Sequence, residues 1–174
     1  MDKLIRWAAG LSLAIAVLAA VSCDDTTASP ARSAELDRAV AGYLNALAES
    51  YSTLDTKPLE EWAAPVEVAM VRRIVRSLVV TSDRVDAKLR SYQIEKMAMF
   101  RGVNATVETL EVWDVVRYDA FTGVEKGRIE GSVQEAVLQL RKADGRWRVI
   151  GRKNIEDDAT PAAGSEVDGR AANR

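Results

Sequence analysis

Helical periodicity fills the first part of the chain after residue 32. From residue 33 to residue 54 the apolar residues recur every three or four positions, which is the spacing of one buried stripe on an amphipathic helix. They are Leu36, Val40, Tyr43, Leu44, Leu47, Tyr51 and Leu54. Thr56 and Pro58 predict the start of a short second helix that passes through Trp62. Pro65 interrupts it, because an interior proline removes a helical hydrogen bond.

A third helix is predicted over residues 66–80, with a wide apolar face that we expect to be buried. This face consists of Val66, Met70, Val71, Ile74, Val75, Leu78 and Val79. Glu67, Arg72, Arg73 and Arg76 are assigned to the opposite face. We interpret the arginines as a solvated surface, with an acidic partner or lipid headgroups as the alternative.

After residue 86 the pattern changes from helical to alternating, which predicts four strands. They cover residues 88–101, 105–119, 128–142 and 147–155. Asp144 and Gly145 predict a tight turn before the last strand, because this pair accepts positive φ. Strands of this length are expected to contain bulges, and neither face of residues 105–118 is uniformly apolar, as a bulge that swaps the faces would cause.

Helices followed by an antiparallel meander predict an α+β fold, with N-terminal helices packed in the concave face of a curved sheet. The element order, "NATVETLEVWDVV" at 104–116 and "DGRWRVIGRKNIE" at 144–156 resemble the nuclear transport factor 2-like superfamily. Its members include ketosteroid isomerase, SnoaL-like polyketide cyclases and cystatin-like proteins. A cystatin-like arrangement with fewer helices and an unrelated helical cap on a meander remain open.

The first 22 residues have the pattern of a secretory signal peptide. Lys3 and Arg6 precede an uncharged run of about 14 residues, shorter than the ~20 of a membrane-spanning helix. The residues from Ala20 to Cys23 resemble a bacterial lipobox, which implies cleavage between Ser22 and Cys23 and lipid on the cysteine. Asp24 resembles a signal for retention in the inner membrane, with the outer membrane still possible. A free cysteine after a plain signal peptide is the alternative.

These features divide the chain into a signal peptide at 1–22, an acylated flexible tether at 23–32, one domain at 33–157 and a disordered tail at 158–174. The chain has no histidine, and Cys23 is its single cysteine. Without these ligands and bases, we expect no metal site, no cofactor and no histidine-based catalysis. Removal of residues 1–22 leaves a net charge near −3, which gives no electrostatic footprint for nucleic acid.

The resemblance implies a pocket between the helices and the sheet, where enzymes of the superfamily place an acidic residue. Asp114 is the candidate here, because its neighbours on one side of the strand are apolar and would raise its pKa. Tyr118 or Tyr92 could then donate to an oxyanion. If a bulge precedes Asp114, its side chain points to solvent instead.

Three aromatic residues, Tyr43, Trp62 and Trp113, are candidates for lining an apolar ligand pocket, although buried aromatics are more often plain core. Membrane-tethered members of the superfamily mostly serve as docking modules. We therefore expect an envelope lipoprotein, anchored in membrane lipid through Cys23, whose domain binds an envelope protein without catalysis. A small-molecule carrier or sensor is the second interpretation, and an isomerase-type or cyclase-type enzyme is the third.

Overall fold

The computed structural model describes residues 30–155. Two α-helices and a short 3-10 helix precede a four-stranded antiparallel sheet of order β1-β2-β3-β4. The elements are α1 (Pro30–Thr53), the 3-10 helix (Lys57–Glu61), α2 (Pro65–Val80), β1 (Asp83–Phe100), β2 (Asn104–Asp119), β3 (Glu125–Ala143) and β4 (Arg146–Asn154). The helices pack against one face of the open, curved sheet, which confirms the predicted α+β fold class.

Several element boundaries differ from the sequence prediction. Helix α1 begins at Pro30, so Pro30 to Arg32 are helical and are not part of a tether. Strand β1 begins at Asp83, ahead of the predicted start at residue 88, because its first residues pair with the end of β2. The signal peptide at 1–22, Cys23 with Asp24, and the tail at 158–174 lie outside the described residues.

The main core lies between α1 and the sheet. The buried residues of α1 follow the predicted stripe and include Leu36, Val40, Tyr43 and Leu44. Gly42 lets the 3-10 helix approach α1, since a Cβ built at Gly42 would collide with the ring of Trp62. The ring therefore fills the space that any larger residue at position 42 would need.

Helix α2 is only partly buried. Val68, Val71 and Val75 reach the core, together with Glu67, which the sequence had placed on the outer face. Val66, Met70 and Ile74, predicted to be buried, are 65%, 53% and 43% exposed. The difference arises because α2 presents a narrow arc to its neighbours, and within residues 30–155 nothing packs on its outer side. No helix in that range is both long and apolar enough to cross a membrane.

Irregularities in strand pairing bend the sheet. In β1 they fall between Leu89 and Ser91 and between Ile94 and Lys96. In the pairing of β2 with β3 one falls between Trp113 and Val115. Up to that point the odd-numbered residues of β2 face the core, and Asp114 lies at the irregularity itself.

Candidate functional site

A fully buried carboxylate, Glu111, lies on the helix-facing side of β2. It accepts hydrogen bonds from Thr109 Oγ1, Trp113 Nε1 and Arg152 Nη2, each at 2.8 Å. Arg152 comes from β4, and its side chain is 14% exposed. The three donors compensate the loss of water around the buried charge, so the arrangement is a satisfied ion pair and not an uncommitted base.

A second buried carboxylate, Glu67 of α2, accepts a hydrogen bond from the hydroxyl of Tyr43 at 2.5 Å. Burial, with the nearby Glu67 as the second cause, raises the pKa of Tyr43 far above its ordinary value. Burial likewise raises the pKa of Tyr51, while the charge of Arg152 opposes that rise. Both tyrosines are therefore neutral hydroxyls at physiological pH.

These five residues, Tyr43, Tyr51, Glu67, Glu111 and Arg152, form what we call the interior polar cluster. A cavity of about 200 Å³ lies beside it, and its wall includes Tyr51, Trp113, Gln134, Arg152 and Asn154. Arg152 Nε and Asn154 Oδ1 are buried and have no hydrogen-bond partner among residues 30–155. The cavity is smaller than the roughly 300 Å³ or more typical of ligand pockets, so only a small molecule would fit.

Asp114 is not in the apolar setting that the sequence indicated. Its carboxylate accepts hydrogen bonds from Arg90 Nε at 2.5 Å and from the Gly131 backbone N–H at 2.9 Å. These bonds, led by that of Arg90, lower its pKa, whereas a general base of the expected kind needs a raised pKa. The alternation that places Glu111 and Trp113 on the core side puts Asp114 on the side of β2 opposite the helices, so the premise for its catalytic role was wrong.

The two candidate oxyanion donors make contacts with residues other than Asp114. The ring of Tyr118 stacks with Arg84, whose Cζ lies 5.1 Å from the ring centroid. Tyr92 lies opposite Glu111 in the register of β1 and β2, but its hydroxyl donates to Asp37 of α1 at 2.7 Å. Burial, followed by that hydrogen bond, raises the pKa of Tyr92 to about 12. Neither hydroxyl donates to Asp114.

The structure brings two of the three aromatic candidates to the interior polar cluster. Tyr43 and Trp113 each donate to a buried carboxylate, and Trp113 also lines the cavity. Trp62 is elsewhere, beside a surface groove that includes Arg38 and Trp147. Within the described range no group of three or more cysteines, aspartates and glutamates is placed to hold a metal ion.

Sequence reasoning missed Glu67, Glu111 and Arg152, although each carried a signal. Glu67 is four and eight residues before the buried Val71 and Val75, so all three share a helix face. Glu111 lies at an even spacing from Val107, Thr109 and Trp113, so it shares the face of β2 that packs on the core. Arg152 was harder to find, because an irregularity in the pairing of β3 with β4 precedes it and shifts the alternation.

Comparisons with known proteins agree with the architecture. No family model and no curated protein matches the chain. Among solved structures, the intermembrane-space region of the chloroplast protein ARC6 is similar with a TM-score of 0.58 and 12% identity, covering 74% of this chain and 98% of that one. A ketosteroid isomerase-like protein from Erwinia carotovora atroseptica is similar with a TM-score of 0.47 and 15% identity, over 70% and 95%. The protein Aln2 from a Streptomyces species has a TM-score of 0.47 at 10% identity, over 76% and 95%.

The described residues therefore share their architecture, helices packed on one face of an open, curved four-stranded antiparallel sheet, with that region of ARC6. At these identities the likeness defines the architecture and assigns no activity. The interior is distinguished by two buried carboxylates that are each already bound to donors of the same chain.

Proposed function

We propose that the protein is a membrane-anchored envelope protein whose domain binds a protein partner and catalyses no reaction. The observation that carries this proposal is the contrast between the inside and the outside of the domain. Inside, Glu67 and Glu111 are both engaged by donors of the same chain. Outside, helix α2 exposes a row of large apolar side chains that a monomer would normally bury.

The row consists of Val66, Met70 and Ile74, which we call the α2 stripe. Their spacing of four residues puts them along one line of the helix surface. Arg73, next to Ile74, and Arg76 are exposed on the same helix. Apolar anchors flanked by cations favour a partner surface that is apolar at its centre and acidic at its rim.

The envelope location is supported by the sequence before the domain. Under this proposal Cys23 carries the lipid anchor and Asp24 favours retention in the inner membrane. The likeness to a region from an intermembrane space is consistent with a domain that works between membranes. Anchoring would hold the domain near its partner and raise the effective concentration of the pair.

The test uses the full chain expressed in its native membrane. We would extract wild type, a Met70→Glu/Ile74→Glu variant and a control variant, Val124→Glu/Ile129→Glu, and compare the proteins that co-purify in stoichiometric amount. Val124 and Ile129 are also exposed apolar residues, but they lie in and near β3. The proposal expects one partner to be lost from the α2 variant alone. Equal recovery of every protein with all three chains would refute it.

A small-molecule carrier is the second candidate, and the cavity beside the interior polar cluster favours it. Arg152 and Asn154 line this cavity of about 200 Å³. Arg152 Nε and Asn154 Oδ1 are buried and have no hydrogen-bond partner among residues 30–155. A small acid or amide could satisfy both atoms. Native mass spectrometry of gently extracted protein would reveal a bound small molecule, and Asn154→Leu should abolish its retention.

A further inference from the structure

One end of the domain collects the start of α1, the β1–β2 turn and the β3–β4 turn; we call it the basal end. The backbone N–H of Lys142 donates to Val103 O at 2.7 Å, which ties the second turn to the first. The Lys142 ammonium group forms an ion pair with Glu35 of α1 at 2.7 Å. Arg32 reaches the same place, since its Nη1 is 4.0 Å from a Cβ built at Gly102.

This end is strongly cationic. It carries Arg32, Arg38, Arg101, Arg141, Lys142, Arg146 and Arg148, against the acids Glu35, Glu61 and Asp144, of which Glu35 is bound to Lys142. The opposite end of the sheet is balanced, because Asp83 and Asp119 share Lys126 and Glu125 binds Arg128. The charge of the domain is therefore polarised along its length.

Two of these cations are placed against each other. Arg141 and Arg148 are direct partners in the register of β3 and β4. Like charges at opposed positions destabilise a strand pair, because the two side chains share one face of the sheet. Arg141 Nε donates to Asn104 Oδ1 at 3.3 Å, but this uncharged acceptor neutralises neither guanidinium group. An external anion between the two guanidinium groups would relieve the repulsion.

Apolar side chains accompany the cations. Phe100 and Val103, on either side of the β1–β2 turn, are each about half exposed. Arg101 stacks on Phe100, with its Cζ 4.9 Å from the ring centroid. An exposed aromatic and an aliphatic residue among arginines is the composition that favours the interface of an anionic membrane.

The short segment between Cys23 and α1 favours a membrane as the surface that the basal end contacts. Only six residues lie between Cys23 and Pro30, the first residue of α1. Fully extended, this stretch spans roughly 25 Å. A lipid on Cys23 would therefore hold the basal end, which contains the start of α1, close to the bilayer.

We propose that the basal end lies on an anionic lipid surface, with headgroup phosphates at Arg141 and Arg148 and with Phe100 and Val103 in the interface. This inference rests on the proposed anchoring through Cys23. Contact with the surface then orients the domain. Helix α2 leads through Ser82 to Asp83, at the opposite end of the sheet, so its C-terminal end points away from the membrane.

The test uses residues 23–174, the predicted mature chain, carrying Cys23→Ser so that no lipid contributes. We would measure co-sedimentation with vesicles of phosphatidylcholine alone and of phosphatidylcholine with phosphatidylglycerol in a 3:1 ratio. The basal variant is Arg101→Glu/Arg141→Glu, in which the new carboxylate opposite Arg148 would attract it across the strands and keep the sheet paired. The matched control is Arg73→Glu/Arg76→Glu on α2, which changes the net charge equally.

We expect binding to the anionic vesicles only, and weaker binding at high salt. Each cation near such a surface contributes about a fivefold change in partitioning, so the basal variant should bind at least about 25-fold more weakly. The control should stay within about twofold of wild type, since Arg73 and Arg76 lie in the half of α2 that leads toward the opposite end of the sheet, where salt screens them from the surface. Binding to neutral vesicles as strong as to anionic ones, equal losses in both variants, or no vesicle binding at all would overturn the proposal.

Mass spectrometry of the N-terminal peptide from native membranes separates this inference from the anchoring on which it rests. A lipid mass on Cys23 together with wild-type vesicle binding by the basal variant would refute the basal contact alone. An unmodified Cys23 together with the expected vesicle results would refute the anchoring alone.

Discussion

Removal of Arg152 should expose the energetic cost of the buried carboxylate Glu111. In the Arg152→Met variant the methionine keeps much of the side-chain volume but takes away the cation 2.8 Å from Glu111. The carboxylate stays fully buried, with Thr109 and Trp113 as its remaining donors. Breaking a buried pair by deleting one partner costs about 3 to 5 kcal/mol. Because Arg152 is 14% exposed and partly screened, we expect the lower limit, about 3 kcal/mol.

A double-mutant cycle separates the ion pair from the loss of packing. Glu111→Gln keeps an oxygen acceptor for Trp113 and removes the charge that Arg152 had compensated. The Glu111→Gln/Arg152→Met variant should therefore lose only about 1 kcal/mol, because no unpaired charge is left buried. The coupling between the two sites then exceeds about 2 kcal/mol, within the range measured for residues in direct contact.

Urea denaturation at pH 7, followed by far-ultraviolet circular dichroism, gives the four free energies of unfolding. The slope against urea should not change among the variants, since each still buries the same surface. A loss below about 1 kcal/mol for Arg152→Met, or a double variant whose loss equals the sum of the single losses, would refute the interpretation of the pair as a buried, mutually dependent unit.

Three further predictions concern packing and titration. Gly42→Ala should cost about 1 to 3 kcal/mol in urea denaturation because its Cβ collides with the Trp62 ring, whereas Gly127→Ala, with open space around it, should be close to neutral. Tyr92→Phe should remove the absorbance change that ionisation of Tyr92 produces near pH 12. Because the pKa of Tyr92 is raised in the folded state, its contribution to stability should be complete below about pH 10 and lost as the pH rises toward 12. The Thr122 backbone N–H and other donors lower the pKa of Asp119. The difference in unfolding free energy between wild type and Asp119→Asn should therefore be constant above about pH 5 and shrink below about pH 4. A difference that does not change with pH would contradict this prediction.

The secondary structure could be predicted from the sequence because its periodicities are strong. Helix α1 has a single stripe of apolar residues, and Asp144 and Gly145 mark the final turn; both have positive φ in the structure, 52° and 75°. Burial on α2 could not be predicted in the same way. Its apolar face is wide, but how much of that face is covered depends on the neighbouring layer. The structure covers only the arc that holds Val68, Val71 and Val75, together with Glu67.

The candidate site depended on strand register, which periodicity alone does not determine. Asp114 and Glu111 lie three residues apart on β2, so they occupy opposite sides of the strand. The even-numbered residues of β2 around Asp114 are the more apolar in sequence, yet the odd-numbered residues up to Trp113 face the helices. The side that faces inward is set by tertiary contacts with α1 and by an irregularity whose place no residue pattern marks.

The most direct test of the central claim, a docking domain held at an envelope membrane, is the native mass of the full-length protein after gentle extraction from its own membrane. The account predicts a defined complex with a protein partner, which the Met70→Glu/Ile74→Glu variant dissociates to a single protomer that keeps its lipid mass. A protomer with no partner, or a complex that the α2 variant leaves intact, would contradict it.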